Sequence, residues 1–236
     1  MYTEILELVT GARRARGLTV IIDVFRAFSL EPYLFSRGAA EILAVGKEET
    51  ARRLKAEHPD AVLIGERLGV KLPGFDYGNS PSQTEHADLA GRLVIHTTSA
   101  GTQGLVNAAG ADRIITGSLV NAGAVARYIR ETAPDHVSLV AMGLNGKESA
   151  PEDLLCARYI RSLLEAQPFD MENELRLLRQ TESGQKFFRT ENQTVFPEAD
   201  YHLCTRYDIF PFVLQVRRET EDIFRVRSEK VTAGSR

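Results

Sequence analysis

The chain has 236 residues, 43% hydrophobic and 26% charged, with a net charge of -3. This suits one large α/β domain or two small ones whose core needs no staple, and it excludes a basic nucleic-acid surface. Two cysteines, Cys156 and Cys204, without a CxxC, exclude a disulfide framework or zinc site. They fit a reducing cytoplasm. The opening residues lack the basic, apolar, small-residue order of a secretory signal, and no apolar run is long enough to span a bilayer. A cytoplasmic protein is expected.

In chain order, the first signal is the basic run Arg13-Arg14-Ala15-Arg16, read as a solvated turn. Short runs rich in Val, Ile and Leu then predict buried parallel strands at 18–23, 41–45, 61–66, 92–97, 113–116 and 136–141. Helices are predicted at 30–37, 48–58, 102–108, 121–131 and 151–166, separated by Gly and Pro-Asp turn signals. This alternation predicts a three-layer α/β/α domain with a largely parallel or mixed central sheet. After Pro168 the rhythm breaks into a helix at 170–179, a polar segment to Asp200, a strand at 210–216 and a frayed polar end at 228–236. The chain thus divides into an α/β core, residues 1–168, and a C-terminal helical segment with a late strand, residues 169–236, packed on the same domain.

Four constellations carry chemistry. In the first, the apolar run Thr19-Val20-Ile21-Ile22 ends in Asp23, and Arg26 follows three residues later. The carboxyl ends of strands in open α/β sheets face the ligand crevice. Asp23 there is a candidate metal ligand or nucleophile, and Arg26 a candidate partner for an anion. The second is Gly65-Glu66-Arg67 with Gly74-Phe75-Asp76-Tyr77-Gly78-Asn79-Ser80-Pro81. It adds the carboxylates of Glu66 and Asp76, the planar donor Arg67 and, at Asn79-Ser80-Pro81, a helix cap with Pro in the first turn. The third is His96-Thr97-Thr98-Ser99-Ala100-Gly101-Thr102, a hydroxyl-rich turn into a helix, suited to an anion. His96 reads as a packed neighbour. The fourth pairs Gly117-Ser118 and Asn121 with Gly143-Leu144-Asn145-Gly146 and Glu152-Asp153. Helix polarity alone accounts for Glu152, whereas Asp153 is a candidate. Cys156 reads as a small buried apolar residue.

The order and spacing of these motifs over residues 18–160 resemble the 2-phosphosulfolactate phosphatase (ComB-like) family, and Arg206-Tyr207-Asp208 followed by Pro211 resembles its C-terminal signature. The resemblance implies that family's own α/β fold and a magnesium-dependent phosphatase. Such an enzyme removes phosphate from 2-phospho-3-sulfolactate, a step of coenzyme M biosynthesis, or from a related 2-phospho-hydroxy acid. Asp23, Arg26 and Arg67 are then the expected catalytic residues. Asn79, Thr98, Ser99, Gly101, Thr102, Ser118, Asn121 and Asn145 are the expected substrate contacts. Asp23, Glu66, Asp76 and Asp153 are the expected ligands of Mg2+. Ala100 stands where the family usually has Asn, Phe28 where it prefers a small hydroxyl residue, and Leu144 where it usually has Thr. The expected partner is a small phosphate ester, with neither nucleic acid nor membrane, and the assembly considered is a homodimer. The alternatives are a non-catalytic ligand-binding relative and a phosphoryl or sugar-phosphate transferase. The second lacks a GxGxxG or P-loop fingerprint.

Overall fold

The computed structural model describes residues 1–231. It opens on a strand absent from the sequence reading, β1 (Tyr2–Glu7), which runs directly into α1 (Leu8–Arg14). Arg13 and Arg14 therefore close a helix rather than a turn, exposed where cations suit the helix dipole. The predicted alternation then follows. β2 (Gly17–Ile22), α2 (Ala27–Ser36), β3 (Glu41–Val45), α3 (Glu48–Glu57) and β4 (Val62–Arg67) come first. The short β5 (Val70–Lys71), β6 (Leu93–Thr97), α4 (Gly101–Asn107) and β7 (Ala111–Gly117) come next. α5 (Ala122–Thr132), β8 (His136–Ala141) and α6 (Pro151–Leu164) complete the series. The region beyond Pro168 holds α7 (Met171–Leu178), α8 (Glu182–Gln185) and α9 (Glu198–Thr205). A hairpin, β9 (Phe212–Arg218) and β10 (Ile223–Lys230), follows. Residues 228–230, expected to fray, pair in β10 with residues 212–214 of β9. Val231, buried, donates its N–H to the Pro211 carbonyl, and residues 232–236 lie outside the described residues.

All ten strands form one mixed sheet in the order β1-β8-β2-β7-β9-β10-β3-β6-β4-β5. One parallel half is β1-β8-β2-β7 and the other is β3-β6-β4. The hairpin stands between them, antiparallel to its neighbours on both sides. Three reversals in succession make the two halves run in opposite directions, so the strands do not share one carboxyl edge as a parallel sheet would give. Twist brings their ends together instead. At about 20–25° per step, the path from β2 through β7, β9, β10, β3 and β6 to β4 turns the strand direction by roughly 120–150°.

Alternation along β2 shows the layers. Ile21 enters a core cluster with Ile42, Ile64, Val94 and Phe224, which draws on both halves and the hairpin. This cluster surrounds α2, buried from Ala27 to Leu34. Val20 and Ile22 point the other way, into a cluster with Val125, Ile129, Leu155 and Ile160 of α5 and α6. With α2 and α4 on one face and α5 and α6 on the other, the arrangement is three-layered α/β/α.

Candidate active site

The end of β2 is fixed from several sides. The backbone N–H of Asp23 donates to the Gly117 carbonyl, and its own carbonyl accepts from Phe28. Its side chain, 6% exposed, accepts from the Ala27 N–H at 3.2 Å and from the Gly101 N–H. A Cβ on Gly101 would stand 3.0 Å from Asp23 Oδ2, so the close approach of this loop requires glycine. The Phe25–Arg26 peptide that follows is cis.

Asp153, in the first turn of α6, accepts from the Val24 N–H at 2.7 Å with Oδ1 and from the Gly143 N–H at 2.8 Å with Oδ2. It ties the ends of β2 and β8 to α6. Glu66, at the end of β4, accepts from the Ser99 N–H with one oxygen and from Gly69 N–H and Ser99 Oγ with the other. Glu152 accepts from Ser183 Oγ at 2.8 Å with Oε1, while its buried Oε2 has no partner.

These four acids line one cavity of about 670 Å³, together with Phe25, Arg26, Asn79, Ala100, Leu144 and Lys186. Burial pushes the Asp23 carboxyl up to about 7, helped by Glu66 and Glu152 and opposed by the Ala27 and Gly101 N–H groups. Burial also lifts Asp153 well above the usual carboxylate range, with Asp23 and Glu152 adding to it. Glu152 is raised by burial, which Lys186 partly offsets. Buried carboxyls raised in this way are neutralised either by a proton or by a bound cation.

The donor set suits a hard divalent ion. Among the described residues no three acid, histidine or cysteine side chains form a ready-made cage. Mg2+ needs none, since one or two carboxylates plus water and substrate oxygens suffice. Glu152 Oε2 is open to it without a competing donor, while Asp23, Asp153 and Glu66 accept from backbone N–H groups and keep a second lone pair on each carboxylate oxygen.

Asn79 and Asn145 line the cavity, and Asn79 Oδ1 is buried without a partner; the helix expected after Asn79-Ser80-Pro81 is a run of turns instead. Ser99 lines it too, while Gly101 reaches it through the N–H that meets Asp23. Thr98 and Thr102 hydrogen-bond each other across the turn and do not line this cavity. Ser118 and Asn121 are buried off to one side, where Asn121 Oδ1 accepts from the Ser118 N–H. Asp76 stays outside: it accepts from Leu63 N–H and faces Lys55 at 3.8 Å on the surface. Arg26, expected to meet an anion, is a buried ion-pair partner of Asp200 at 2.8 Å and donates to the Val195 and Gly69 carbonyls. Arg67 donates to the Glu66 carbonyl and Thr97 Oγ1. It lines a second hollow that shares Leu68, Ser99 and Asn145 with the first. His96 is a core residue, paired at 2.9 Å with Glu31, both fully buried. Of the departures from the family pattern, Ala100 and Leu144 line the cavity, whereas Phe28 belongs to the core. Burial raises the Cys156 thiol well above its ordinary value, which leaves it unreactive.

Sequence reasoning missed Glu152 and Lys186. Lys186 follows α8 and stands over the rings of Phe196, Phe187 and Phe25 at 5.1, 5.3 and 5.8 Å. A Ser183-x-x-Lys186 spacing opposite a first-turn acid was the only signal available.

The 2-phosphosulpholactate phosphatase family model matches residues 4–219. A probable 2-phosphosulfolactate phosphatase of Bacillus subtilis is 30% identical over 207 residues, covering 86% of this chain and 89% of its own. A protein of the same description from Thermoplasma volcanium is 31% identical over 198 residues, 84% of this chain and 88% of its own. Another from Deinococcus radiodurans is 39% identical over 131 residues, 55% of each chain. The family match runs through the elements that build the cavity, from β1 to β9, and the chain belongs to the 2-phosphosulpholactate phosphatase family.

Proposed function

We propose that the protein is a magnesium-dependent phosphoric monoester hydrolase acting on 2-phospho-3-sulfolactate or a related 2-phospho-hydroxy acid. The observation that carries this reading is the cluster of Asp23, Glu152 and Asp153, buried together in one cavity with raised pKa values. Such a cluster is poised for a divalent ion and a phosphate ester rather than for either alone. Asp23 and Glu152 hold the ion. When bound, it supplies Lewis-acid charge to the phosphoryl group.

The chain's own contributions follow from its hydrogen bonds. Asp153 holds Val24 and Gly143, and so fixes the strand end that presents Asp23. Glu66 clamps Gly69 and Ser99, and so fixes the loops on the facing side. Asn79, with its unpartnered buried oxygen, orients a polar donor of the substrate. Phe25, Phe196 and Ala100 keep the walls apolar and exclude water from around the ester.

The test is phosphate release from a panel of small esters, including phosphosulfolactate and phospholactate, with magnesium and with chelator. Magnesium-dependent hydrolysis of a 2-phospho-hydroxy acid, lost in Asp23→Asn, is expected. Ligand binding without turnover across the panel would overturn the reading in favour of a non-catalytic relative.

A further inference from the structure

Resting on the phosphatase reading, we infer that the Lys186 ammonium is the side-chain group that binds the oxygens of the substrate's phosphoryl group without forming a bond to phosphorus. The segment between α7 and α9 then supplies the cavity with a cation that no acidic side chain among the described residues already engages.

The first support is a charge inventory of the cavity. Six acids line it, Asp23, Glu66, Glu148, Glu152, Asp153 and Glu182, and among the lining residues only Arg26 and Lys186 oppose them. Arg26 is already committed. It pairs with Asp200, donates to two carbonyls and lies 4.9 Å over the Phe196 ring. Lys186 Nζ has no hydrogen-bond acceptor and no acid within ion-pair distance among the described residues. A dianionic phosphoryl group entering this acidic hollow therefore finds one uncommitted protein cation.

The second support is how that cation is held. Three phenylalanine rings stand 5.1 to 5.8 Å from Nζ. Aromatic faces attract an ammonium without neutralising it, so the charge is positioned yet still available. Burial among them lowers the lysine pKa, and Arg26 adds to this, while Glu152, Asp23 and Asp153 pull it back up. The lysine thus feels all three acids while touching none. The gap that remains is bounded by carboxylates on one side and an ammonium on the other.

The third support is register. Ser183, three residues before Lys186, donates to Glu152 at 2.8 Å. This bond sets the distance between the segment that carries the cation and the helix that carries the acids. Both sides of the gap are fixed before any ligand arrives.

Lys186→Met keeps the stem against the rings and removes the charge. With magnesium present, kcat/KM should fall about ten- to a hundredfold, the scale of one charge-assisted contact. The loss should be equal for two esters that differ only in a second anionic arm. Competitive inhibition by inorganic phosphate should weaken by a similar factor, and Lys186→Arg should restore part of both. Loss confined to the ester with the second arm would overturn the inference, as would phosphate inhibition within twofold of wild type.

A second measurement needs no variant. Inorganic phosphate should slow acylation of Lys186 in the wild-type protein, read by mass spectrometry, while exposed Lys47 and Lys71 keep their rates. Equal rates at Lys186 with and without phosphate would overturn the inference. A wild type that hydrolyses no ester yet shows this protection would sink the phosphatase reading and leave the phosphate contact standing.

Discussion

The surroundings of Asp23 favour its protonated form. Burial raises its carboxyl to about 7 from an ordinary value near 3.8. The unfolded chain releases this proton near 3.8 and the folded chain near 7. Between those values the folded state binds more protons, so this group's stabilisation is fully present below pH 3.8 and lost as pH rises through 7. Asp23→Asn removes that titration. In chelator, its Tm should exceed that of wild type at pH 8 by about 2–4 °C per kcal/mol relieved, and the difference should shrink towards pH 4. Its turnover should fall by at least roughly a hundredfold. Thermal melts from pH 4 to 8, paired with steady-state kinetics, check both. Parallel melting curves would mean that the carboxyl titrates normally. Asp23 stood out in the sequence because an apolar run ends on it. Glu152 did not, since the helix dipole favours an acid at that position whether or not a ligand is near. Lys186 was one cation in a polar stretch, and only folding sets it against Phe25, 161 positions earlier in sequence order, by the numbering.

At the scale of elements, Arg26 is a bolt. It joins the start of α2 to Asp200 of α9 and to the Gly69 loop, across 174 and 43 residues. Asp200 also accepts from Ser80 Oγ and from the N–H and Oγ of Ser82. Arg26→Met or Asp200→Asn leaves an uncompensated buried group and should cost about 3–5 kcal/mol. Arg26→Met with Asp200→Leu should recover part of that loss, because neither charge is then stranded. Denaturant unfolding of the three variants and wild type measures the coupling. Single-variant losses under about 1 kcal/mol would show that the pair clamps nothing. The sequence offered the right residue at position 26 for the wrong partner, since an arginine beside a strand-end carboxylate reads equally as an anion receiver. The helices past Pro168 were legible in part. The 170–179 reading gave α7, whereas α8, with four residues, has too little periodicity to announce itself.

For the whole molecule, the β9–β10 hairpin is the seam between two opposed half-sheets. A chain ending at Thr205 keeps every residue of the site yet loses the seam. It should show no cooperative thermal transition and no turnover, measured by circular dichroism and phosphate release. A cooperative melt would mean that the halves hold together through α2 alone. The alternating core strands and their helices were readable because buried parallel strands leave dense Val, Ile and Leu runs. β10 was not, although Phe224 and Val226 alternate with Arg225 and Arg227, because its outward face is charged and it lies near the chain end. The reversal between halves left no local mark, since strand direction depends on which strands become neighbours. That reversal has a consequence in time. The residues around the cavity come from positions 23, 66, 99, 152 and 186, and none of the pieces is complete until the hairpin has closed the sheet. Long-range closure is slow compared with helix formation. Refolding from denaturant should therefore restore far-ultraviolet ellipticity first and catalysis last, which makes enzymatic turnover a clock for the final docking step.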